Sequence, residues 1–176
     1  MENKEAINFV KRSLNVGDYG YTLRKYIKPD IWDAVLFSEL QNLTVERMTD
    51  FNYSRCFSYY ILEDLELKNP FFSEKATNEI MDRGYIEFIS LKISAISPFF
   101  YLERAMYSKG KEKLELAHIK KFRNSLLEKE MVRIQNKLEQ HDLFRIDPSE
   151  LKLKLPNIPL EDYEVDQVTY FSYLFE

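Results

Sequence analysis

The chain has 176 residues, with 25 Lys and Arg against 29 Asp and Glu, two histidines and one cysteine. That length suits one domain that can bury a core without disulfide or metal, and a net charge of −4 opposes a sequence-independent nucleic-acid binder, which needs surplus cations to displace counterions. The lone Cys56, the lack of a signal-peptide pattern and the absence of any run of ~18 apolar residues predict a reduced, cytoplasmic protein without a membrane span.

Ile7, Val10 and Leu14 recur at helical spacing and predict a helix over residues 3–14, stopped near Gly17. A short helix is expected at 22–27. Pro29 suits the first turn of another, over 30–43, whose stripe is Ile31, Trp32, Val35, Leu36, Leu40 and Leu43. Residues 54–62 are aromatic and β-branched, and read as a strand. Ser73 before Lys75 and Ala76, and Gly84 at the far end, bracket a helix over 73–83.

The segment 85–97 alternates. Ile89, Leu91, Ile93 and Ala95 are apolar, and Ser90, Lys92 and Ser94 between them are polar, which predicts a strand with one buried face. Pro98 breaks it, and 99–108 resumes as an antiparallel partner. A long amphipathic helix is expected near 111–140, with Ile119, Phe122, Leu126, Met131, Ile134 and Leu138 on one stripe. LKLKL at 151–155 suits a short strand or a helical turn, and 165–176 reads as a closing strand. Segregated elements of this kind predict a single α+β domain over 1–176. Its antiparallel sheet of about four strands packs against several helices.

The four glycines, Gly17, Gly20, Gly84 and Gly110, are too dispersed for a phosphate-cradling loop. His118 and His141 fall at opposite ends of the expected long helix, ~35 Å apart if it is regular, so they cannot share a metal. No cofactor is expected. There is no Gly-x-Ser-x-Gly elbow, and Cys56 among aromatics reads as a small buried hydrophobe. Glu63, Asp64 and Glu66 form one acidic cluster, and Glu161, Asp162, Glu164 and Asp166 another. Neither has a companion base or cation-loop spacing, so both read as solvated loops.

Glu87, Glu103 and Arg104 interrupt expected strands. Neighbours on a strand face opposite ways, so Glu103 and Arg104 cannot share the buried face. They either mark a sheet edge or line a pocket. Aromatic residues are abundant, with 12 Tyr and 13 Phe. Tyr53, Tyr59, Tyr60, Phe99, Phe100, Tyr101, Tyr107, Tyr170, Phe171 and Tyr173 occupy both odd and even positions of expected strands. Helices would cover one face. The other would either show tyrosines to a partner or be buried too, with tyrosine tips at the rim.

The segment ISLKISAISPFFYLERAMY (89–107) and the ending VTYFSYLFE (168–176) resemble bacterial polymorphic-toxin immunity proteins. That resemblance implies a small, acidic, cytoplasmic protein that neutralises a cognate toxin by covering or distorting its site. It carries no residue roles. The expected contact groups are Tyr59, Tyr60, Glu63, Asp64, Glu66, Tyr101, Glu103, Arg104, Glu161, Asp162, Tyr170 and Tyr173. The expected partner is a protein, such as a basic toxin domain, and homo-oligomerisation stays open. On this reading the chain is not an enzyme. The alternative is a small-ligand-binding or enzymatic domain whose pocket between sheet and helices is lined by Glu87, Glu103 and Arg104. A third reading is a self-associating structural module.

Overall fold

The computed structural model describes residues 29–40, 42–63, 73–111, 113–155, 157, 158, 160, 163, 164 and 166–176. The helices expected at 3–14 and 22–27 lie outside them. The elements run α1 (Pro29–Glu39), β1 (Thr44–Arg47), β2 (Cys56–Leu62), α2 (Glu74–Arg83), β3 (Tyr85–Ser94), β4 (Phe99–Lys109), β5 (Leu114–His118), α3 (Ser125–Glu139), β6 (Phe144–Arg145), α4 (Pro148–Leu151) and α5 (Tyr170–Phe175). The fold class is α+β. Five antiparallel strands lie in the order β1-β2-β3-β4-β5, and β6 joins β4 in parallel, which makes a six-stranded mixed sheet.

The register assigns the two sheet faces. Phe57, Tyr59 and Ile61 lie level with Ile93, Leu91 and Ile89, which lie level with Phe100, Leu102 and Arg104. The apolar members pack against Trp32 and Leu36 of α1 and against Leu127, Met131, Ile134 and Leu138 of α3. The opposite face carries two separate clusters. Ala76 and Ile80 of α2 cover Leu62, Ile86, Phe88 and Ala105. Tyr170, Tyr173, Leu174 and Phe175 of α5 cover Cys56, Phe99 and Tyr101. The strand expected to have one buried face is therefore covered on both, and Ser90 and Ser94 are buried.

Local chemistry explains α2. Ser73 Oγ accepts the Ala76 N–H, and Gly84 closes the helix at φ 90°, a conformation that costs glycine nothing. Two expectations are corrected. The helix foreseen near 111–140 begins only at Ser125, because residues 114–118 pair with the C-terminal half of β4. His118 thus sits on a strand. The ending read as a strand is the helix α5. Thr169 Oγ1 accepts the Ser172 N–H while Ser172 Oγ accepts the Thr169 N–H, a reciprocal cap that offsets the strand preference of its aromatics. No helix among the described residues is long and apolar enough to cross a membrane.

Candidate functional site

Between the two clusters on the second face lies a polar strip. Tyr60, Ser90 and Glu103 are level across β2, β3 and β4, as are Ser58, Lys92 and Tyr101. Glu103 Oε2 accepts the Tyr101 hydroxyl at 2.5 Å and lies 3.1 Å from His118 Nδ1. Burial, and then the Glu103 hydrogen bond, push the Tyr101 hydroxyl well above the usual phenol range. Burial does the same to Tyr60, reinforced by Tyr107, to which it is hydrogen-bonded. The carboxylate of Glu103 therefore faces hydrogen-bond donors rather than a bare apolar wall.

The strip opens at the edge of β4. β5 and β6 both pair with that edge, β5 from Ala105 onward and β6 only at Phe99 and Phe100. Among the described residues, none forms a strand beside 101–104 on that side. The alternation that sends the Phe100 and Arg104 carbonyls to Ile146 and Ile119 turns Leu102 the same way. Its carbonyl accepts from Arg145 Nη2 at 3.4 Å. A cavity of about 650 Å³ fills this notch, bordered by Tyr101, Glu103, Arg104, His118, Arg145 and Phe171 among others.

Glu103 and Arg104 face opposite ways, as strand geometry requires. Arg104 reaches across the core face to α3. Its Nε and Nη2 donate to the two carboxylate oxygens of Glu128 at 2.8 Å each, and Glu128 also accepts the Phe122 N–H at 3.0 Å. Glu87 does not join this notch. Its carboxylate is 7% exposed, accepts the Arg123 N–H at 3.2 and 3.0 Å, and anchors the loop before α3. The Arg123 guanidinium lies over the Tyr85 ring, 4.3 Å from its centre. A second open hollow of about 870 Å³ lies there, beside Glu63, Arg83 and Tyr85.

The expected contact groups disperse. Tyr59 is 1% exposed and donates to Asp33 Oδ1 at 2.9 Å, while Asp33 pairs with Arg47. Tyr101, Tyr170 and Tyr173 are also buried, and Tyr60 is half-buried. Among the described residues, α2 and α5 cover most of that face and leave only the polar strip between them, so it is not an open tyrosine face. Glu63 is exposed, whereas Asp64, Glu66, Glu161 and Asp162 lie outside the described residues. Cys56 is buried, its Sγ 3.1 Å from the Phe175 carbonyl. Among the described residues, no three His, Cys, Asp or Glu side chains come together as a metal site.

Exposed rings occur elsewhere. The β1–β2 hairpin tip presents Phe51 at 56% and Tyr53 at 84% exposure. The tip is well braced. Asp50 Oδ1 accepts the Asn52 N–H at 2.9 Å, and the Asp50 carbonyl accepts the N–H groups of Tyr53 and Ser54 and the Ser54 hydroxyl. The Phe51 ring stands edge-on to Phe57, 5.2 Å away. Sequence reasoning placed Tyr53 among the strand tyrosines and passed over Phe51. The signal was the run DFNYS, two rings set among turn-forming Asp, Asn and Ser. Arg145 was missed as well, because nothing local announces that its two-residue strand borders a cavity. Comparison with family models, with curated proteins and with solved structures finds no match to this chain.

Proposed function

We propose that this chain is a non-catalytic protein-binding protein of the immunity type, which neutralises a cognate toxin by direct contact through the β1–β2 hairpin tip. The observation that carries the reading is the pair of exposed rings, Phe51 and Tyr53, on a turn already ordered by Asp50. Aromatic anchors dominate protein interfaces, and an anchor held in place before contact loses little entropy on binding. Scattered exposed apolar residues are ordinary. Two rings two residues apart on one braced turn are a local concentration. The resemblance of residues 89–107 to immunity proteins supports the same reading. The net charge of −4 favours a basic partner, chiefly through faster association.

The test is co-expression with any toxin found to be encoded beside this gene. The wild-type chain is expected to protect the cell and to co-purify with the toxin. The double variant Phe51→Ala, Tyr53→Ala should stay folded, losing only the Phe51–Phe57 edge contact in stability, yet bind at least ~30-fold more weakly, from about 1 kcal/mol per lost anchor. Full protection and unchanged affinity in the double variant would remove the hairpin from the reading. No stoichiometric protein partner and no adjacent toxin gene would remove the reading itself.

A further inference from the structure

The notch beside β4 holds groups that the toxin-binding reading does not use. Its cationic side chains come from different elements. Arg145 is on β6, where Nη1 donates to Gln135 Oε1 at 2.7 Å and Nη2 reaches the Leu102 carbonyl. Among the described residues no carboxylate lies within ion-pair distance of it, though Asp147 two residues on feels its charge. Lys152, at the end of α4, has an exposed side chain that is likewise unpaired among them. His118, 66% exposed, stands on the other bank at the end of β5. Arg104 adds no free charge, since Glu128 holds it in a two-pronged pair. Among the described residues the one carboxylate on the wall is Glu103, which accepts from Tyr101 and lies beside His118 Nδ1, leaving His118 Nε2 to face the cavity side.

A chain with four more acids than bases thus leaves two cations and a histidine around one cavity. The rest of the wall is apolar, chiefly Phe171, Ile119 and Leu151. The volume of about 650 Å³ falls within the ~300–1,000 Å³ range of small-ligand sites. The N–H groups that Arg145 does not spend on Gln135 and Leu102, an ammonium and an imidazole suit a tetrahedral, doubly charged oxyanion. A planar carboxylate, with a single negative charge, would leave part of that positive charge unmatched.

We infer that the notch between β5 and β6 is a binding site for a small phosphomonoester, whose phosphoryl group meets Arg145, Lys152 and His118 while its organic body lies against Phe171. This inference is independent of the toxin-binding reading, and either can fail alone.

The probe is phenyl phosphate, titrated calorimetrically into the full chain and followed by ³¹P NMR, with benzoate and phenol as comparators. Saturable binding with Kd below about 1 mM is expected. Arg145→Gln should weaken it at least tenfold, while Lys121→Gln, which removes an exposed cation outside the notch, leaves it unchanged. Arg145→Lys keeps the charge but loses the fork and should give an intermediate loss. It also serves if Arg145→Gln does not fold. No saturable binding overturns the inference, and so does equal weakening by Arg145→Gln and Lys121→Gln. Benzoate or phenol binding as tightly as phenyl phosphate overturns its phosphoryl component.

Discussion

Replacing Glu128 by alanine tests whether the charged residue that interrupts β4 ties the sheet to α3. Glu128 accepts three N–H groups, two from Arg104 at 2.8 Å and one from Phe122 at 3.0 Å. Hydrogen bonds to charged groups contribute about 1.5–3 kcal/mol when well sheltered. Here the side chains of Arg104 and Glu128 remain 30% and 26% exposed, so solvent competes and the low end applies. Counting the paired Arg104 bonds as one contact and the Phe122 bond as a second, weaker one, Glu128→Ala should cost about 2 kcal/mol. For a chain of this length that lowers Tm by about 4–8 °C. Glu128→Gln keeps an oxygen for Phe122 and should cost about half as much.

The Arg104 hydrogen bond holds the Glu128 carboxyl below its ordinary value. A depressed folded-state pKa gives stability that is complete above the unfolded value of ~4.3 and is lost as pH falls through the folded value. The gap between wild type and Glu128→Ala should therefore be constant from pH 7 to about 5 and close in more acid solution. Urea unfolding across that range, with Arg104→Met completing a double-mutant cycle, measures both quantities. A coupling near zero, or a Glu128→Ala variant that melts with the wild type, would refute the clamp.

Alkaline titration is the second expectation. Burial raises the tyrosine hydroxyls of Tyr60, Tyr101, Tyr107 and Tyr170, and pushes Tyr59 up to about 12. A raised folded pKa stabilises below the unfolded value of ~10 and ceases to do so as pH climbs through the folded one. Absorbance near 295 nm should show a delayed phase that coincides with loss of helical circular dichroism. Smooth ionisation of every tyrosine around pH 10 with the fold intact would contradict it. A third expectation concerns Gly84, whose φ is 90° and beside which an added Cβ would meet no atom within 4 Å. Gly84→Ala should thus cost only backbone strain, about 1 kcal/mol or 2–4 °C in thermal melts, and Gly84→Asn less. An unchanged Tm for Gly84→Ala would show that the αL cap is not required.

The amino-acid sequence determined the features whose causes lie a few residues apart. Ser73 and Gly84 bracket α2 because capping bonds span one helical turn. Alternation from Ile89 to Ala95 marks β3 because a strand has period two. The opposite orientations of Glu103 and Arg104 follow from the same pleat, as does the burial of Cys56 among aromatics. Tertiary contacts decided the rest. Residues 114–118 have helix-forming neighbours, yet they extend because β4 offers them an unpaired edge. Residues 170–175 are rich in strand-forming aromatics, yet they coil. Their side chains are buried that way against Phe99 and Tyr101, some seventy residues earlier in the chain. That helix, together with α2, covers most of the tyrosine face that composition alone left open. The notch is the least local feature of all. It exists because β5 and β6, separated by a helix, pair with the same edge of β4 and stop short of each other, and no window of sequence contains both partners.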